Sequence, residues 1–221
     1  MIIVGHRGAR GLAPENTLAS IEAALTHGVD EIEFDIRVTS DGVPMLYHDD
    51  TLHDEHGGGL IKLQTYEQIQ TKFPTATNLS DVIQHVNRRV PLLIEIKPGE
   101  PTEPIISIIT DFMHRGWQPS DFLFVSFSFE ILKVMHAAFP DSTCVINEGW
   151  SSIRAVRRMK RLNSNRLSMN HLWLWPGFIK AMRRRGYQLG TYTLNNPAQA
   201  KRWEQSGLYA VITDYPDRFK K

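Results

Sequence analysis

A (β/α)8 barrel of the TIM type is the fold class this sequence predicts, and three observations predict it. Nine short apolar runs rich in β-branched or aromatic residues recur along the 221 residues. Helix-period stretches separate most of these runs, and the connections between them are short. Such alternation builds βαβ units and a parallel sheet, and eight units in about 200 residues fill a barrel. A doubly wound open sheet is the competing architecture, but it would use fewer strands and place its ligand at one switch point.

The expected strands, in order, are Ile2–Gly5, Glu31–Val38, Val43–His48, Leu92–Lys97, Phe122–Phe127, Thr143–Asn147, Arg166–Asn170, Gln188–Leu194 and Ala210–Thr213. Val43–His48 is the extra one, paired to the second. Among the helices, Thr17–Thr26 follows Asn16, read as its N-cap, and ends near Gly28. Glu130–Phe139 stops before Pro140, Phe178–Arg185 at Gly186 and Ala198–Gln205 at Gly207. Between Asp49 and Asn78 the rhythm breaks, and this segment reads as a short inserted lobe on a single domain spanning the chain. Its Gly57-Gly58-Gly59 run lacks a following Gly-Lys-Ser/Thr, so it is a flexible turn and not a nucleotide loop.

Composition narrows the function classes. A hydrophobic content of 42% with 22% charged residues is globular and excludes disorder. The net charge of +1 gives no reason to expect nucleic acid as a partner. Cys144 is the sole cysteine, which excludes an internal disulfide and fits a reducing, cytoplasmic setting. The start MIIVGH has no basic region of a secretory signal, and no apolar run approaches the ~20 residues of a membrane span.

The most informative feature is charge placed inside strands. Side chains alternate along a strand, so in Glu31–Val38 the residues Ile32, Phe34, Ile36 and Val38 share one face, and Glu33 and Asp35 the other. The outer face of a barrel packs on helices, which sends the apolar set outward and the carboxylates inward. Leu93-Ile94-Glu95-Ile96-Lys97 repeats the pattern, with Glu95 and Lys97 inward. Three converging carboxylates need either raised pKa values or a bound cation, because each buried ion costs several kcal/mol. A hard divalent cation, Mg²⁺ or Ca²⁺, suits the all-oxygen set Glu33, Asp35 and Glu95 better than zinc does. The bland alternative is a structural salt-bridge ring with Arg37, Lys97 and Arg7 as partners.

Of the nine histidines, His27, His85, His114 and His136 lie in or beside predicted helices. His6 and His48 differ, since each ends a predicted strand, where barrel active sites are built. Two histidines flanking a diester can divide the work of general base and general acid. Arg7 and Lys97 would then face the phosphate.

His6-Arg7-Gly8, Pro14-Glu15-Asn16-Thr17, Glu33-Phe34-Asp35, His48-Asp49 and Glu95-Ile96-Lys97 form an ordered series. That series resembles the glycerophosphodiester phosphodiesterase family. Ser126-Phe127, Asn170-His171, Thr191–Asn195 and Thr213-Asp214-Tyr215-Pro216 extend the resemblance from Gly5 to about Phe219. It implies a barrel with an inserted lobe and a divalent metal on Glu33, Asp35 and Glu95. It also implies catalytic histidines at His6 and His48, and phosphate-holding cations at Arg7 and Lys97. The implied reaction releases sn-glycerol 3-phosphate and an alcohol such as choline, ethanolamine or glycerol. In that reaction the glycerol 2-hydroxyl attacks phosphorus, and water then opens the cyclic phosphate. The chain departs from the family pattern after Leu52, where His53-Asp54-Glu55-His56 replaces an arginine–threonine stretch in a shortened lobe.

Two other functions stay open at this level: a membrane-surface phospholipase, and a silent phosphate-ligand binding barrel. The basic runs Arg154–Arg161 and Arg183–Arg185 read as solvated helix faces. Trp173 and Trp175 either form an apolar lip at the mouth or pack under the loop, and packing is the preferred reading. Tyr192 lines the pocket or fills the core.

Overall fold

The protein is described by a computed structural model covering residues 1–149 and 151–219. Strand and helix alternate as β1 (Ile2–Gly5), α1 (Leu18–Thr26), β2 (Glu31–Val38), β3 (Pro44–Leu46), α2 (Tyr66–Lys72) and α3 (Leu79–Val86). They continue as β4 (Leu92–Ile96), α4 (Glu103–His114), β5 (Phe122–Ser126), α5 (Phe129–Ala138), β6 (Thr143–Glu148) and α6 (Ser152–Arg161). The chain ends through β7 (Arg166–Asn170), α7 (Pro176–Arg184), β8 (Gln188–Tyr192), α8 (Pro197–Ser206) and β9 (Ala210–Thr213).

The sheet runs β1-β9-β8-β7-β6-β5-β4-β2-β3, and a β1–β2 pairing closes the ring. All eight ring strands are parallel, while β3 lies outside and pairs antiparallel with β2. Closure excludes the open sheet and establishes the TIM barrel. The alternation predicted for β2 and β4 is present: Ile32, Phe34, Ile36, Ile94 and Ile96 join the cluster that packs strands on helices. Inside the ring, Val4, Leu93, Leu123, Val125, Val145, Ala210 and Ile212 make a separate apolar layer. This layer closes the barrel from below, so that inward polar residues nearer the strands' C-terminal ends face a cavity.

Some boundaries differ from expectation. Thr17, not Asn16, caps α1, in a reciprocal capping box with Ser20. Asn16 instead turns its amide onto β2, where Nδ2 donates to Asp35 Oδ2 at 3.0 Å. β3 stops at Leu46, so His48 lies beyond the strand, on a loop held by two guanidinium bonds from Arg37 to the His48 carbonyl (3.1 and 3.0 Å). Trp173 and Trp175 do not pack under the loop. They are 56% and 59% exposed, with Trp175 tilted against Phe178 at the start of α7.

Residues 49–78 contain α2 and two short 3-10 turns, and their Leu52, Ile61, Ile69, Phe73 and Ala76 form a small separate core with Met45 and Tyr47. No helix among the described residues is long and apolar enough to cross a membrane.

At the opposite end of the barrel a buried ion pair spans the ring. Arg166 opens β7, Glu31 opens β2, and these strands stand four places apart in the closed order. The pair is bidentate, at 2.8 and 2.5 Å, with the guanidinium over the Tyr209 ring. Removing one partner strands the other's charge in the core. Arg166→Met is therefore expected to cost about 3–5 kcal/mol in urea denaturation, and adding Glu31→Leu to recover most of it. A loss under 1 kcal/mol for the single variant, on the order of an exposed pair, would contradict the assignment.

Candidate active site

Local backbone geometry sets the first wall of the site. The chain leaves β1 through His6-Arg7-Gly8, with Arg7 at φ 51° and Gly8 at φ 80°. A Cβ on Gly8 would lie 2.5 Å from Ser20, so only glycine lets this turn close against α1. The turn aims the Arg7 backbone N–H at Glu33 Oε2 (2.9 Å) and carries His6 to the rim. In parallel register, Asp35 of β2 stands beside Glu95 of β4. Donor oxygens of Glu33, Asp35 and Glu95 all lie within 4.8 Å of one another, and all three residues are buried.

His6, Arg7, Glu33, Asp35, His48, Glu95 and Lys97 border one cavity of about 270 Å³. The sequence-predicted residues are thus brought together. Val125, Phe127, Tyr192 and Ile212 supply much of its apolar wall, which places Tyr192 at the pocket.

The cations sit on carboxylates. Lys97 Nζ lies 2.5 Å from Asp35 Oδ1 and 2.6 Å from Glu95 Oε1. Arg7 pairs with Glu15 at 2.6 Å, and its Nε approaches Asp35 Oδ2 at 3.1 Å but off the hydrogen-bond direction. Arg37, a candidate for a structural salt-bridge ring, pairs elsewhere, with Glu100 at 3.0 Å. Burial opposes ionisation of Asp35, yet Lys97 and then Arg7 outweigh it and hold this carboxyl below its usual range. Glu33 goes the other way. Burial, then Asp35 and Glu95, push its carboxyl well above the usual range. Glu95 is also raised, by burial that Lys97 only partly offsets. Burial would lower the Lys97 ammonium, but Asp35 and Glu95 raise it.

With Glu33 ionised as well, three carboxylates would face Lys97 and an Arg7 shared with Glu15, and the donors are all oxygen. The Asn147 amide donates to Glu95 Oε2 at 3.1 Å while its own Oδ1 is buried without a partner. This donor set fits a hard divalent ion.

Each histidine carries a carboxylate on Nδ1: Asp214 at 2.6 Å from His6, and Asp49 at 2.7 Å from His48. When the imidazole is neutral, that contact places the proton on Nδ1 and leaves Nε2 as the free acceptor. Asp214 is fixed in turn by Asn195, whose Nδ2 donates to its Oδ2 at 2.8 Å. Burial opposes ionisation of Asp214, but the bonds from His6 and Asn195 keep its carboxyl below the ordinary range. Sequence reasoning missed Asp214, Asn195, Asn147 and Asp49 as site residues. For Asp214 the signal was available, an acid directly following the last strand.

Residues 6–218 match the glycerophosphoryl diester phosphodiesterase family. The chain belongs to that family. It is accordingly a phosphoric diester hydrolase on a TIM barrel. A glycerophosphodiester phosphodiesterase of Bacillus subtilis is 27% identical over 254 residues, which cover 100% of this chain and 86% of the relative. Among solved structures, an Oleispira antarctica phosphodiesterase in complex with the product sn-glycerol-3-phosphate is similar at a TM-score of 0.86 and 27% identity. That match covers 99% of this chain and 95% of the other. A glycerophosphodiester phosphodiesterase of Agrobacterium tumefaciens aligns at a TM-score of 0.79 and 26% identity, covering 99% and 98%.

The raised Glu33 carboxyl has a measurable consequence for this hydrolase. Burial and the neighbouring Asp35 and Glu95 favour the protonated form of Glu33, so a divalent ion held by this trio would compete with a proton there. Affinity for Mg²⁺ or Ca²⁺ is therefore expected to fall as pH falls, with proton release visible by calorimetry in buffers of different ionisation enthalpy. A pH-independent affinity without proton release would contradict the arrangement.

Proposed function

We propose that this chain hydrolyses water-soluble glycerophosphodiesters to sn-glycerol 3-phosphate and an alcohol, with His6 and His48 as the acid–base pair. Glu33, Asp35 and Glu95 would hold Mg²⁺ or Ca²⁺, which when bound stabilises negative charge on the phosphoryl oxygens. The observation carrying the proposal is the single cavity that joins two carboxylate-backed imidazoles to the carboxylate trio. Similarity to a phosphodiesterase that holds sn-glycerol 3-phosphate supports the substrate class.

The side chain of His6 is 14% exposed and that of His48 is 39% exposed. This asymmetry favours His6 as the base toward the enclosed glycerol end, and His48 as the acid toward an alcohol leaving on the lobe side. His6 Nε2 takes the proton of the glycerol 2-hydroxyl as its oxygen bonds to phosphorus. The bond from phosphorus to the alcohol oxygen breaks, and that oxygen takes a proton from His48. Water then opens the cyclic phosphate with the roles reversed: His48 accepts the water proton and His6 returns one to the glycerol 2-oxygen. Both imidazoles end as they began. Lys97 and Arg7, released from part of their carboxylate pairing by the bound cation, would orient the phosphate.

A second reading, a phospholipase working at a membrane surface, is favoured by exposed Leu172, Trp173 and Trp175. A substrate panel separates the two. Release of glycerol 3-phosphate from glycerophosphocholine, glycerophosphoethanolamine or glycerophosphoglycerol supports the first, and faster turnover of lysophospholipid on vesicles supports the second. A cytoplasmic setting accords with the buried, unpaired Cys144 thiol.

Two variants test the chemistry. His6→Ala should lower kcat by roughly 10²–10⁴-fold; unchanged turnover would remove the assigned role. Asp214→Asn should lower kcat on the order of 10²–10⁴-fold with little change in KM or melting temperature, because it acts through the His6 tautomer. Equal losses in kcat and folding stability would make Asp214 a structural residue instead.

A further inference from the structure

The inserted lobe holds a second group of metal-ligating side chains. His53, Glu55 and His56 offer donor atoms that all lie within 4.8 Å of one another. They sit on the 3-10 turn Asp54–His56 and the residue before it, so one short piece of backbone presents all three. The turn is closed by Gly57 at φ 89°, whose N–H bonds the Asp54 carbonyl at 3.0 Å, and by a bond from Gly58 N–H to the His53 carbonyl at 3.1 Å.

The orientation of these side chains is fixed by the lobe's own packing. His56 stacks on Phe73 with ring centroids 3.8 Å apart and meets the edge of Tyr47. Its Nδ1 lies 3.0 Å from the Tyr47 hydroxyl, which leaves Nε2 as the open nitrogen, 3.9 Å from Glu55 Oε1. An imidazole engaged at one nitrogen and open at the other is the arrangement metal-ligating histidines use. The same hydroxyl accepts the His53 backbone N–H at 3.0 Å, so Tyr47 anchors both ends of the turn. The His53 and His56 rings lie nearly parallel, 6.0 Å apart. Asp49 adds a further oxygen, with Oδ2 3.1 Å from His53 Nε2.

The geometry points to a second cation site in the lobe, formed by His53, Glu55 and His56 with Asp49 in reach, for a borderline-soft divalent ion of the zinc class. Two imidazoles and a carboxylate favour such an ion over Mg²⁺ or Ca²⁺, the reverse of the preference expected of the all-oxygen trio in the barrel. The site borders a separate cavity of about 270 Å³ that also reaches Tyr47 and His48. His48 therefore stands between the two sites, and Asp49 touches both His48 and His53. The lobe site does not depend on the hydrolase chemistry.

The test is calorimetric titration of Zn²⁺ into the full chain under saturating Mg²⁺, which occupies the barrel carboxylates. One Zn²⁺ per chain is expected, with imidazole ¹⁵N shifts at His53 and His56 but not at His27 or His136. His53→Ala and His56→Phe should each weaken binding at least ~10-fold, and Glu95→Gln should leave it unchanged. His53 is largely solvent-exposed, so His53→Ala keeps the fold, and His56→Phe retains a ring against Phe73. Absent Zn²⁺ uptake, or equal affinity in the wild type and both histidine variants, overturns the proposal. Loss in Glu95→Gln alone also overturns it, because the ion would then belong to the barrel. Turnover of glycerophosphodiesters with Mg²⁺ is measured separately, so failure there leaves the zinc result readable.

Discussion

Glu33, Asp35 and Glu95 stand within 4.8 Å of one another where water barely reaches, and their mutual repulsion is the constraint on which the upper face of the barrel depends. Its neighbours divide the load. Lys97 bridges Asp35 and Glu95, Arg7 lies along Asp35, and the neutral amides of Asn16 and Asn147 donate to Asp35 and Glu95. Glu33 receives the Arg7 backbone N–H, and its carboxyl is pushed well toward its protonated form. The trio therefore works as an unevenly titrated group. Lysine and arginine hold Asp35 toward its ionised form, while burial and acidic neighbours hold Glu33 toward its protonated form.

This face also concentrates unusual backbone. Arg7 and Asn16 adopt φ of 51° and 57°, a region that costs a non-glycine residue free energy and persists only when its surroundings fix it. For Asn16 the fixing contact is visible: two amide bonds, one to the Asp35 carboxylate and one from the Asp35 backbone N–H. The far end of the barrel is built differently. An interior apolar layer separates it from the cavity, and the Glu31–Arg166 pair ties opposite strands together. Burial there stabilises the ring, which lets the upper end hold like charges close together.

The fold was legible because its pattern is repetitive. Period-two alternation in β2 and β4 showed which carboxylates point inward, and the closed sheet placed them side by side. What escaped reading was set by contacts between distant segments. Asn16 has the chemistry of a helix cap, but the competing partner on β2 claimed it and left Thr17 to cap α1. His48 belongs to a loop whose position comes from Arg37 on the other strand, a bond with no local signature. Asp214 lies 208 residues from the imidazole it holds, and Asn147 lies 52 from Glu95. Trp173 and Trp175 look like packing residues by composition, yet it is Leu174 between them that is buried while both rings stand exposed.

The two histidines share a design although no common motif surrounds them. Each has an acid on Nδ1, and each is anchored from a distance: Asn195 steadies Asp214 behind His6, while Arg37 grips the His48 carbonyl. The proposed two-step route needs such symmetry, since base and acid exchange roles between ring closure and ring opening. An imidazole backed by a carboxylate is stabilised in both states, as a neutral acceptor with a fixed tautomer and as a cation beside a negative charge. Exposure then breaks the symmetry. His6 is enclosed at the barrel rim, while His48 opens toward the lobe, so on the proposed route a leaving alcohol would meet its acid on the side from which it can depart.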